Sequence, residues 1–147
     1  MLDISIKKFN ELSLNELYEL LKLRSEIFVV EQNCVYQDLD NKDKKALHVI
    51  GVANDTMVAY TRIFGPGDYF SEASIGRVAV SEQYRRFGYG KEIMVSSIQG
   101  IKDNFKEERI KLSAQTYLIK FYTSLGFKTV GEEYLEDGIP HIQMLRN

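Results

Sequence analysis

The sequence predicts a mixed fold of the α/β (α+β) kind, one sheet with helices packed on it. Three observations predict it. Apolar residues recur with strand or helical period in the order β, α, β, β, β, α, β, α, β, β. The 147 residues, 44% hydrophobic and 27% charged, have the size and composition of one globular domain spanning 1–147. No repeat, low-complexity tract or linker divides them.

Taken in order, Ile4, Ile6 and Phe9 sit among polar neighbours, the pattern of a short strand from Asp3 to Phe9. Ser13-Leu14-Asn15-Glu16 is a capping box, whose hydroxyl and carboxylate satisfy amides that a helix start leaves unpaired. Leu12 and Leu17 form its staple. Leu17, Leu20, Leu21, Arg24 and Phe28 then follow at helical spacing, so the helix is expected to end near Val29 and Val30. Glu31 to Lys45 is polar, aperiodic and carries Asp38, Asp40 and Asp43; it reads as a functional loop.

Leu47 to Ala53 and Met57 to Phe64 predict a hairpin around Asn54-Asp55-Thr56, stopped by Gly65-Pro66-Gly67-Asp68. A strand is expected over Ser74 to Ser81, then a helix with Gly90, Ile93, Met94, Ser97, Ile98 and Ile101 on one face. Ile110 to Ala114 is another strand. Leu118, Phe121, Tyr122 and Leu125 mark a helix closed by Gly126, and Phe127 to Leu135 pairs with Ile139 to Leu145 around Asp137-Gly138.

Nineteen basic and 21 acidic residues give a formal charge of -2, which offers no global attraction to nucleic acid or an anionic membrane. Cys34 is the lone cysteine, no signal-type segment opens the chain, and no apolar run reaches the roughly 20 residues that cross a bilayer. The expected compartment is a reducing cytoplasm. Histidine and cysteine are too few and too scattered for a zinc site, so no metal is expected.

The segment Arg85-Arg86-Phe87-Gly88-Tyr89-Gly90 feeds directly into a helix. Amides at a helix start favour anions, Gly88 and Gly90 let the backbone approach phosphate, and Arg85, Arg86 and Lys91 add positive charge. The nucleoside triphosphatase loop is excluded because it needs glycine at position 85 and Ser or Thr after Lys91; Arg85 and Glu92 stand there. The dinucleotide fingerprint is excluded by Ile93. By itself the turn supports either a pyrophosphate site or a shaped surface turn.

Its context resembles the GNAT acetyltransferase superfamily. Arg85, Gly88 and Gly90 match motif A, which reads arginine or glutamine, two residues, glycine, one residue, glycine or alanine. Arg77-Val78-Ala79-Val80-Ser81 is similar to the splayed fourth strand, and Ala114-Gln115 with Phe121-Tyr122-Thr123-Ser124-Leu125-Gly126-Phe127 resembles motif B. Arg24 through Asp40 and Asp137-Gly138-Ile139-Pro140-His141 look like the ElaA-like branch. Two positions depart: Arg86 replaces a common glycine, and Gln115 a common asparagine that touches the cofactor arm.

The resemblance implies a central mixed, largely antiparallel sheet with a splayed strand pair. It also implies an N-acetyltransferase that moves an acetyl group from acetyl-CoA to a primary amine by direct attack. Strand residues Val78, Ala79 and Val80 would hold the pantetheine arm together with Gln115 and Phe121. Arg85, Arg86, Phe87, Gly88, Tyr89, Gly90 and Lys91 would hold the pyrophosphate. Tyr122 matches the general acid: an ordinary tyrosine, with a pKa of about 10, keeps its proton for the leaving thiolate.

The base is not fixed by sequence. Glu31, Asp38, Asp40, His48 and His141 are candidates, with Glu31 first because it follows the first helix. Gln37, Asp38, His48, Arg62, Arg77 and His141 are the expected acceptor-binding residues; the two arginines suit either a substrate carboxylate or structural ion pairs. The acceptor is a small-molecule or peptide amine, and an edge strand at Ile139 to Leu145 would offer a homodimer contact. The alternative is a non-catalytic acyl-CoA sensor or protein-interaction module of the same fold.

Overall fold

The computed structural model describes residues 2–147. Its strands are β1 (Asp3–Lys8), β2 (Leu47–Ala53), β3 (Thr56–Phe64), β4 (Ala73–Val80), β5 (Ile110–Gln115), β6 (Lys128–Glu136) and β7 (Ile139–Arg146). The helices are α1 (Leu14–Arg24), α2 (Tyr89–Phe105) and α3 (Ile119–Ser124). One seven-stranded sheet runs β1-β2-β3-β4-β5-β7-β6. Every neighbouring pair is antiparallel except β4 and β5, which run parallel.

That exception makes the cleft. The two strands pair only at Ala73 with Ile110 and Ser74 with Lys111, beyond which β4 stays with β3 and β5 with β7. The facing backbone edges therefore lack ladder partners and can bond something else. In β4 there is also a bulge: Tyr60 faces Ala79 and Arg62 faces Gly76, so Arg77 and Val78 oppose Thr61 alone. Arg77 takes the left-handed conformation (φ 51°) at this point, and such a bulge re-aims side chains beside it.

The hydrophobic patterns find their partners on the two faces. In α2, Ile93, Met94 and Ile101 are buried against β-strand residues that include Val58 and Ile63. Close approach requires Gly100, where a Cβ would lie 2.7 Å from Ile6. On the opposite face Leu20, Leu23 and Ile27 cover Ile50, Tyr60 and Ala79. The capping box of α1 forms as the sequence reads, with Ser13 Oγ accepting from the Glu16 amide at 3.0 Å and Glu16 accepting from the Ser13 amide at 2.9 Å. The α1 helix then widens into a π-helical turn over Ser25–Glu31.

One expectation is corrected. Ile139 to Leu145 does not form an edge, because β7 lies between β5 and β6 and bonds to both. The edge beside it is β6, which exposes Lys128, Glu132 and Glu133; charges on an edge discourage pairing with another chain.

Candidate active site

The turn after β4 is short and helical over Glu82–Phe87, and Gly88 then adopts φ 77°, a left-handed value that glycine reaches without strain. From there α2 runs for 17 residues with no side-chain cap. Its first bonded amide is that of Glu92, which donates to the Gly88 carbonyl, so the helix amides before it have no partner among the described residues at the positive end of the helix dipole. Gly90 sits between the walls: a Cβ there would meet Phe121 at 3.6 Å and Val80 at 3.8 Å.

The cleft that opens beneath this turn has a volume of about 730 Å³. Val78 and Val80 line one wall, Gln115, Phe121 and Tyr122 the other. Tyr122 is buried, and burial pushes its phenol above the ordinary tyrosine range. Among the described residues its hydroxyl makes no hydrogen bond. It thus keeps its proton at a position that lines the cleft.

Arg85 is not free for an anion. Its terminal nitrogens donate to both oxygens of Glu31 at 2.5 and 2.6 Å, and its Nε donates to the Val80 carbonyl. The hydrogen bonds from Arg85 hold the Glu31 carboxyl below its usual range. A carboxylate doubly bound to a guanidinium accepts a further proton poorly.

The loop after α1 is fixed by three buried or half-buried arginines. Arg24, 0% exposed, donates through Nε to Asp38 and through Nη1 to Asp43. Arg62 donates to Asp40 and Asp43, and Arg77 donates through Nε to Asp38. Burial raises the carboxyl pKa of Asp40 and Asp43, but the arginines outweigh it and hold both below the usual range. The acidic loop is thus neutralised by its arginine partners.

His48 is also corrected: it lies outside the cleft and is fully buried. Its Nε2 must donate to the Asp43 carbonyl at 2.9 Å, which leaves Nδ1 to accept from the Tyr60 hydroxyl at 2.6 Å. Burial lowers its pKa, so it stays neutral as a strut of the loop.

The structure brings Gln37, Arg62, Arg77 and His141 to the cleft and sets Asp38 directly behind Arg77. Ala79 and Tyr89 turn their side chains into the core, while Arg86, Phe87 and Lys91 are exposed at the mouth. Sequence reasoning missed a constellation on β5, β6 and β7. Ser113 and Tyr134 share a hydrogen bond, Tyr134 stacks on His141, and His141 Nε2 stands 3.4 Å from Glu136. His141 Nδ1 carries its proton to the Ile139 carbonyl at 2.7 Å. Nothing local in the sequence pairs these residues. Arg24 was detectable, because a charge within the apolar stripe of α1 demands a buried partner.

A sheet parted between its two parallel strands, with a glycine turn and open helix amides at the mouth, defines an acyl-CoA N-acyltransferase of the GNAT fold. The model of the acetyltransferase (GNAT) domain matches residues 17–146, and the chain belongs to that family. Protein ElaA of Escherichia coli strain K12 is 45% identical over 139 residues, 93% of this chain and 91% of that protein. Escherichia coli ElaA in crystal form superposes with TM-score 0.93 at 42% identity, and an acyl-CoA N-acyltransferase from Pseudomonas aeruginosa with 0.92 at 39%, each covering 100% of both chains.

Proposed function

We propose that this N-acyltransferase moves an acetyl group from acetyl-CoA to a primary amine by direct attack, with Tyr122 as general acid. The observation that carries the reading is the unbonded, protonated Tyr122 hydroxyl in a cleft whose opposite wall, β4, has a free backbone edge. The pantetheine amides suit the β4 edge around Val78 and Val80, with Gln115 and Phe121 across from them. The pyrophosphate suits the amides from Gly88 to Lys91, with Arg86 and Lys91 beside it. Arg85 serves there through its link to Glu31 and Val80, which steadies the turn.

The amine nitrogen forms a bond to the thioester carbonyl carbon, the carbon–sulfur bond breaks, and the departing sulfur takes the Tyr122 proton. The proton lost by the amine leaves through the His141–Glu136 pair, which reaches both cleft and solvent. Asp40, held by Arg62, is a poor base, and the oxygens of Asp38 are already engaged by Arg24 and Arg77. Tyr122→Phe should cut turnover in a thiol-release assay about 100-fold or more and leave acetyl-CoA affinity by calorimetry unchanged. Undiminished turnover would exclude Tyr122 as the acid, and cofactor binding without turnover of any amine by the unaltered protein would favour a sensor.

A further inference from the structure

Two buried polar side-chain atoms on residues that line the cleft have no hydrogen-bond partner among the described residues. Arg62, 1% exposed, commits its terminal nitrogens to Asp40 and Asp43, yet its Nε has no acceptor. Ser74, also 1% exposed, has an Oγ with no hydrogen bond. In the β3–β4 register Arg62 faces Gly76 and Phe64 faces Ser74, so Arg62 and Ser74 are diagonal neighbours on one face of the sheet. Both line the cleft. Buried donors without acceptors are disfavoured and rare, so a side-by-side pair at a ligand cleft points to a group that arrives.

Gly76 shows where that group fits. A Cβ built there enters space whose single neighbour within 4 Å is Arg62 Nε, at 3.9 Å. We infer that Arg62 Nε, Ser74 Oγ and the space over Gly76 form a carboxylate subsite, and that the amine acceptor carries a carboxylate on the same molecule. An Arg Nε–H only donates and a serine hydroxyl can donate, so the fitting ligand atom set accepts twice. Arg77 lines the same cleft, its Nε held by Asp38 at 2.8 Å. Asp40, 2.6 Å from Arg62 Nη2, repels a dianion and so favours a carboxylate over a phosphate. Phe64, Tyr69 and Phe70 offer the carbon skeleton an apolar wall. The inference rests on the acyltransferase reading for its amine, and on the unpaired donors for its carboxylate.

The test compares L-amino acids with their amides and with the decarboxylated amines, using acetyl-CoA and thiol release. The amino acids are expected to give kcat/KM about tenfold or more above both sets, because the analogues leave the donors unpaired. Gly76→Ala, which fills the space at a backbone conformation alanine adopts, and Ser74→Ala should each raise KM for amino acids about fivefold, with melting temperature and acetyl-CoA affinity as in the unaltered protein. Equal rates across the three sets, or a preference that both variants retain, would overturn the subsite. If no amine is acylated, calorimetry with the same compounds in the presence of coenzyme A separates the ideas. Carboxylate-dependent binding lost in Gly76→Ala upholds the subsite without the reaction, and no such binding overturns it.

Discussion

At the mouth of the cleft Arg85, Arg86 and Lys91 stand in solvent around a glycine turn, whereas deeper in, Arg24, Arg62 and Arg77 are largely buried against Asp38, Asp40 and Asp43. The residue types are alike and their energetics are opposite. Water screens the outer charges, so Arg86 and Lys91 can take up and release a partner at little cost while Arg85 stays on Glu31 and Val80. Each inner charge has given up water and depends on the others, so the network fixes the loop and tolerates no vacancy. The outer set suits binding and release, the inner set alignment.

The contrast is most exposed to Asp43→Ala. Asp43 Oδ1 accepts from both Arg24 at 2.7 Å and Arg62 at 2.9 Å, so its removal leaves two buried cations sharing only Asp38 and Asp40 with Arg77. Urea unfolding should show a loss of about 3–5 kcal/mol; a loss typical of a surface pair would break the comparison. Next is pH. Neutral His48, its pKa depressed by burial, contributes stability that is whole above the unfolded value of about 6.5 and declines as pH falls through that value. Asp40 and Asp43, also depressed, add a second decline below about pH 4. The urea midpoint should fall in both windows, and His48→Gln should erase the upper one.

Gly88→Ala acts on the outer region. At φ 77° with no atom within 4 Å of the added Cβ, the cost is backbone strain of about 1–2 kcal/mol, with weaker coenzyme A binding in calorimetry as the amides shift. Smallest is Glu31→Gln, which leaves Arg85 bonded to the Val80 carbonyl and removes a half-exposed pair; unfolding should change by less than about 1 kcal/mol. A larger loss would show that the mouth is as rigid as the interior.

The order of strands and helices was legible because each segment shows its period locally, from the Ser13 capping box to the Asp137-Gly138 hairpin. Motif A was legible for the same reason: Arg85, Gly88 and Gly90 lie within six residues. The inner network was not, since its partners lie 14 to 39 residues apart and meet only after the loop folds over β3 and β4. The pairing of Glu31 was hidden for the same reason, as Arg85 is 54 residues away. The Ser113–Tyr134–His141 contacts depend on β7 inserting between β5 and β6, an order that no strand pattern encodes.

That insertion has a consequence for how the protein is made. One wall of the cleft, β5, is paired on its other side by β7, residues 139–146. Without β7, β5 would keep just its two residue pairings to β4, while β1 to β4 pair with one another independently of it. Until β7 leaves the ribosome, the half-built sheet ends in an open strand bearing Leu112 and Ala114, a surface that other chains can adhere to. The pocket is complete only once residues 139–146 have taken their place between β5 and β6.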